Sequence, residues 1–200
     1  MVAAESTTTP QRVGEVIQAD SSSFVVQCYQ LYGAPPVGSF VRTGSPPVYG
    51  VIFQVRTEPL DPSRPVLARG LEAESEEEVY RDNPQISRLL TSRFEVLVVG
   101  HQSDETNYYH LPPLPPRVHS FVYTCYADEI ARFTGRLDFL HLLVSSTVSF
   151  SDQVIGACLQ QASAAHANGR DFLVAAGRVL AGELSGDLPR LNAILRRIAS

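Results

Sequence analysis

Three histidines, His101, His110 and His119, lie in and beside a proline-rich loop, and Cys125 follows close behind. Imidazole and thiolate groups are zinc ligands, so these four residues are candidates for a tetrahedral metal site. Their spacing matches no established zinc motif, and such a site needs ligands that converge from fixed elements. The pattern therefore favours an exposed loop without metal. An unrecognised enzyme or metal-binding protein that uses this histidine-rich loop stays as an alternative.

The sequence lacks the usual motifs of residues that bind phosphate or act as nucleophiles in enzymes. The segment Gly33–Ser39 has the glycine spacing of a phosphate loop, but its two prolines remove backbone donors that would cradle a phosphate. All 16 basic residues are arginine, so there is no phosphate-loop lysine and no Schiff-base lysine. No serine stands in a Gly-x-Ser-x-Gly elbow. The sequence therefore predicts that the protein is not an enzyme and has no catalytic, cofactor-binding or metal-binding residues.

Two surface segments are candidates for binding a partner protein. The acidic run 72–78 is typical of a solvated surface, because adjacent carboxylates repel one another and are seldom buried. The loop 108–116 combines tyrosines with paired prolines, which form a pre-ordered aromatic surface at low entropic cost. The residues predicted to contact a partner are Glu74, Glu76, Glu77, Glu78, Tyr108, Tyr109, Pro112, Pro113, Pro115 and Pro116.

Short β-branched runs with alternating hydrophobicity precede these segments and follow them. Turn residues separate the runs, which predict about six strands between residues 12 and 125. Glycine inside several runs is typical of the bends in a small barrel. An excursion, residues 58–92, lies between the fourth and fifth strands. The predicted fold is α+β, a small six-stranded closed β-barrel followed by a helical module. The predicted strands are 13–17, 24–29, 37–42, 48–55, 93–100 and 120–124.

The rest of the chain completes the domain plan. Amphipathic stripes of helical period predict a helical module over residues 126–200, with Ser151 or Asp152, Asp171 and Asp187 as N-caps. The polar, threonine-rich residues 1–11 are predicted to be a disordered leader. Three widely spaced cysteines, a net charge of -5 and the lack of a long apolar run predict a cytoplasmic protein with no membrane span.

The strand residues of the first half resemble a known domain. Segments 13–17, 24–26, 37–41 and 49–52, with Asn83-Pro84 and the proline-rich entry to the last strand at 115–122, resemble a HAS barrel. This is the six-stranded N-terminal barrel of HerA-type DNA translocases and of the α and β subunits of F-type ATP synthases. The resemblance covers about residues 12–130. The RecA-like ATPase domain that follows in HerA-type proteins is replaced here by the helical residues 126–200.

The resemblance implies a non-catalytic docking or assembly module, because the related barrels pack side by side on a ring and contact partner proteins. We expect a protein partner, either an ATPase ring or a nuclease, and contact with nucleic acid only through that partner. One alternative is an accessory factor of a HerA-like translocase or nuclease system that touches DNA through Arg178, Arg190, Arg196 and Arg197. A homo-oligomer formed through the helical module is a further alternative.

Overall fold

The computed structural model describes residues 10–199, and within them it has an antiparallel seven-stranded sheet and seven helices. The α+β class is confirmed. Residues 1–9 of the predicted leader lie outside the described residues. No helix within residues 10–199 is long and apolar enough to cross a membrane. The strands are β1 (Arg12–Ala19), β2 (Ser23–Cys28), β3 (Phe40–Thr43), β4 (Val48–Pro59), β5 (Leu90–Ser103), β6 (Thr106–Tyr108) and β7 (Phe121–Thr124).

The sheet has the order β2-β1-β7-β3-β4-β5-β6, and β2 also pairs with β5. Each of the six predicted strands is present and lies between two others. The seventh strand, β6, was not predicted. It follows a tight turn at Asp104 and Glu105, both with positive φ, and pairs only with β5. It is three residues long and has no hydrophobic alternation, so the sequence gives little sign of it.

The helices occupy two places in the chain. Within the excursion lie α1 (Glu76–Asp82) and α2 (Ile86–Leu89). After the last strand come α3 (Ala127–Thr134), α4 (Leu140–Val144), α5 (Ser151–Ala165), α6 (Gly169–Glu183) and α7 (Leu188–Ile198), which form the helical module.

The predicted helix starts are only partly correct. Asp187 caps α7 as predicted, because its side chain accepts a hydrogen bond from the Arg190 N–H. The prediction for α6 is wrong, since the cap is Asn168 and the Asp171 N–H is its donor. The prediction for α5 is also wrong, because the residue before the helix is Phe150, in a left-handed conformation and without a side-chain cap.

Two hydrophobic clusters hold the fold together. The first lies among the strands, around Val16, Phe24, Val26, Ile52 and Phe94. The second joins the opposite face of β3, β4 and β5 to the helical module, and in it Phe40, Tyr49 and Val99 pack with the helical residues. Alternate residues of one strand therefore serve different clusters, as the period of two requires.

The strands β4 and β5 extend beyond the rest of the sheet as a two-stranded ribbon. The pairing of β4 with β3 ends at Val51, and that of β5 with β2 begins at Arg93. Residues 54–59 of β4 therefore pair only with β5. The excursion connects the last residue of β4, Pro59, to the first residue of β5, Leu90.

Candidate functional site

The predicted loop 108–116 lines a groove of about 530 Å³ beside the first residue of β4 and the last residues of β5. Its walls are the turn before β4 and the prolines Pro112, Pro113, Pro115 and Pro116. Leu114 is largely exposed at its mouth. The structure thus gathers all four predicted prolines around one concave, mostly apolar surface, a shape that suits a ligand or a partner side chain.

The two tyrosines of this loop have different surroundings. Tyr108 is exposed, and its ring stacks on His101 at 5.4 Å between centroids. Tyr109 turns inward, where its hydroxyl donates a hydrogen bond to the Phe133 carbonyl at 2.8 Å and its ring packs on the Phe133 ring. Burial raises the pKa of Tyr109. Tyr109 therefore anchors the loop to α3, and Tyr108 is the tyrosine available to a partner.

Two of the three histidines of this region lie together, and the third lies elsewhere. His101 is buried and its Nδ1 lies 3.2 Å from the His110 carbonyl oxygen, with the two rings 5.0 Å apart. His119 instead lies 2.8 Å from a Glu15 carboxylate oxygen on the surface of β1. Within the part of the chain that the structure describes, no group of three or more His, Cys, Asp or Glu residues could hold a metal ion.

The predicted acidic residues lie at the start of α1, and one of them has a structural role. Ser75 caps the helix by accepting from the Glu78 N–H, and Glu78 in return accepts from the Glu74 N–H. This reciprocal arrangement is close to a capping box. Glu76 and Glu77 are exposed, and α1 buries no residue. Glu74, Glu76 and Glu77 therefore offer the acidic surface, and Glu78 holds the helix start.

A second groove, which sequence reasoning missed, lies on the excursion. It measures about 520 Å³ and is formed by segment 59–69 against α2 and the first residue of β5. Val66 and Leu67 in its wall are 63% and 68% exposed, and nearby Leu71 is 98% exposed. Apolar residues in a segment without periodicity were the only signal, and that pattern does not distinguish an interaction surface from an ordinary loop.

Most of the charged residues that line this excursion groove are arginines. Arg64, Arg69 and Arg88 line it together with a single carboxylate, Asp61. Arg64 and Asp61 form an ion pair at 3.3 Å. The other two arginines, Arg69 and Arg88, form no ion pair with a lining residue. An anionic group that entered the groove would therefore meet these two arginines and the exposed leucine and valine side chains.

A buried polar cluster joins the sheet to the helical module. The Glu129 carboxylate of α3 lies 2.8 Å from Arg42 Nε of β3 and accepts a hydrogen bond of 3.1 Å from the Tyr49 hydroxyl of β4. Burial and the nearby Glu129 charge raise the pKa values of Tyr49 and of the Cys125 thiol. A thiol with a raised pKa is a poor nucleophile, so this cluster has the character of a structural joint.

The arginines of the helical module have different surroundings. Arg190 is engaged within the protein, donating to Asp152 at 2.6 Å, to the Ser151 hydroxyl and to the Val144 carbonyl. Arg178 and Arg196 are exposed on different helices. Of the four arginines predicted as a contact for DNA, Arg190 is therefore committed to holding α5 against α7.

No family model and no curated protein matches this chain.

Proposed function

We propose that the protein is a non-catalytic docking module built on a closed six-stranded barrel of the HAS type. The pairings support this architecture, because β2 pairs with both β1 and β5 and thereby links the two sides of the six-strand set. Closure of a sheet removes its free edges, as a small barrel requires. The helical module packs on the outer face of the strands and leaves the two grooves open.

The observation that carries the docking proposal is the apolar surface of the excursion. Three side chains that a monomer would normally bury, Val66, Leu67 and Leu71, are each more than half exposed. Val66 and Leu67 line the excursion groove, and contiguous exposed apolar residues with a polar rim are typical of a protein-binding surface. The partner expected from the HAS resemblance is a separate ATPase ring or a nuclease, and nucleic acid would be contacted through it.

The compartment we propose is the cytoplasm. All three cysteines are free thiols, and Cys28 and Cys158 are buried. Burial raises the pKa of the Cys28 thiol to about 11, which makes that thiol unreactive. Free, buried cysteines are typical of proteins in a reducing compartment.

The test is a pull-down from native extract with the tagged chain, read by mass spectrometry, with nuclease added to half of each sample. Leu67→Asp places a charge in the excursion groove. Leu188→Asp is the matched control, because Leu188 is a leucine of similar exposure, 62%, at the start of α7. Leu114→Asp tests the loop groove in the same way.

We expect a defined partner that is retained by the wild type and by Leu188→Asp and reduced at least tenfold by Leu67→Asp, with or without nuclease. Recovery of the same partner by Leu67→Asp with loss by Leu114→Asp would move the docking surface to the loop groove. Recovery of the bait alone by the folded wild type would refute the docking function.

A further inference from the structure

The outer edge of β4 in the projecting ribbon is uncovered. Residues 54–57 are four consecutive exposed residues, although they lie within a regular strand. The neighbours of β4 in the sheet are β3 and β5, and the pairing with β3 ends at Val51. A strand edge of this length is a template for pairing with another chain, and proteins normally cover or shorten such edges.

The direction of the backbone groups along this edge follows from one hydrogen bond. The Leu60 N–H donates to the Leu89 carbonyl at 2.8 Å, which continues the pairing of Pro59 with Leu90. In an antiparallel strand the N–H and C=O of a residue point to the same side, and the sides alternate along the chain. The amide groups of Val55 and Thr57 therefore point away from β5, toward the open edge.

The ion pairs of the ribbon lie between its own two strands. Arg56 forms an ion pair with Glu95, and Arg93 forms one with Glu58 at 2.8 Å. These pairs cross between β4 and β5 and fix the ribbon in its extended form. What remains open on the β4 side is the backbone, which is the group that strand addition uses.

The strand that carries the open edge ends at the excursion groove. Pro59 ends β4 and also lines the groove, followed by Leu60. A peptide that paired with Val55 and Thr57 would therefore direct its next residues toward Arg64, Arg69 and Arg88. The complementary sequence is an extended segment with alternating apolar and acidic residues.

We infer that the protein binds its partner by strand addition, in which an extended acidic segment of another protein pairs with β4 at residues 55–57 and continues into the excursion groove. This inference rests on the proposed docking function and specifies its mode. The backbone bonds would supply affinity, and the arginines and apolar side chains would supply selectivity. A second copy of this chain is a poorer occupant, because it brings the same arginines to the contact.

The experiment uses the full chain and a synthetic eight-residue peptide of alternating valine and aspartate, blocked at both ends. Binding is measured by fluorescence anisotropy at low salt, and amide hydrogen exchange is measured with and without the peptide. A valine–lysine peptide of the same length is the charge-reversed control. Thr57→Pro removes the outward N–H, and Thr57→Val is the matched variant that keeps it.

We expect the valine–aspartate peptide to slow exchange at Val55 and Thr57, and to bind at least tenfold more tightly than the valine–lysine peptide. Thr57→Pro should weaken binding at least tenfold, and Thr57→Val should change it less than threefold. Lack of binding, protection elsewhere, equal binding of both peptides, or slower exchange at Val55 and Thr57 caused by self-association alone would overturn the inference. The pull-down with Leu67→Asp is an independent readout, so a failed peptide experiment leaves the docking function standing.

Discussion

Removing the Glu129 carboxylate should destabilise the protein more than its single hydrogen bond suggests. The side chain of Glu129 is 8% exposed and that of its ion-pair partner Arg42 is 24% exposed. Breaking a buried ion pair by deleting one partner costs about 3–5 kcal/mol, because the other charge is left without compensation. Water and the Tyr123 ring, 5.2 Å from the guanidinium, still reach Arg42, so we place Glu129→Ala at the lower end, about 3 kcal/mol.

The comparison of four variants tests this reasoning. Tyr49→Phe removes one hydrogen bond to a charged acceptor and should cost about 1.5 kcal/mol. Arg42→Met should cost about as much as Glu129→Ala, because it strands a buried carboxylate. The double variant Arg42→Met/Glu129→Ala should be more stable than either charge-stranding single variant, since it leaves no buried charge.

The assay is urea unfolding of the full chain at pH 7, followed by circular dichroism and by tyrosine fluorescence, because the chain has no tryptophan. With a slope of about 2 kcal/mol/M, a loss of 3 kcal/mol moves the midpoint by about 1.5 M. Glu77→Ala, an exposed glutamate on α1, is the control and should shift stability by less than about 0.5 kcal/mol. A loss below about 1 kcal/mol for Glu129→Ala, or additive losses in the double variant, would refute the proposal that the buried polar cluster holds the sheet and the helical module together.

Three further outcomes follow from the helical contacts and the loop. Burial lowers the pKa of His166 below its usual 6.5, so the unfolded chain binds the proton more tightly, and stability should fall as the pH drops below about 6.5; His166→Gln should remove that part of the pH dependence in unfolding titrations. Gly38→Ala should destabilise the fold in urea, because Gly38 has a φ of +91° and a Cβ there would lie 2.7 Å from the Cβ of Ala157, and an unchanged midpoint would contradict this packing. Tyr109→Phe should lower stability by about 1 kcal/mol through loss of the bond to the Phe133 carbonyl, and a neutral result would mean that the loop is not anchored there.

The sequence located the strands well but not their ends. The predicted fourth and fifth strands covered 48–55 and 93–100, whereas β4 and β5 run from Val48 to Pro59 and from Leu90 to Ser103. Residues 56–59 are mostly polar and have no hydrophobic alternation. Their strand conformation depends on cross-strand ion pairs such as Arg93 with Glu58, which only the pairing of distant segments creates.

The candidate site could also be predicted only in part, because residue types locate a loop but do not show its contacts with distant residues. Proline and tyrosine types marked the loop 108–116, and the four prolines do line one groove. That Tyr109 turns inward could not be predicted, because its partner is the Phe133 carbonyl on a helix 24 residues away. The excursion groove was missed because Val66 and Leu67 face solvent, and exposure of an apolar residue is a property of the folded chain.

The strand that comes first in the chain completes its pairing late in synthesis. β1 pairs with β2 after a short turn, but its other edge pairs with β7, where Arg12 lies opposite Tyr123. The pairing of β1 with β7 closes a loop that contains all the residues between these two strands. Closing a loop of this length carries an entropic cost, and contacts of large sequence separation slow folding. While the ribosome makes the residues between β2 and β7, the outer edge of β1 lacks its native neighbour, and the nascent chain is most open to mispairing in that interval.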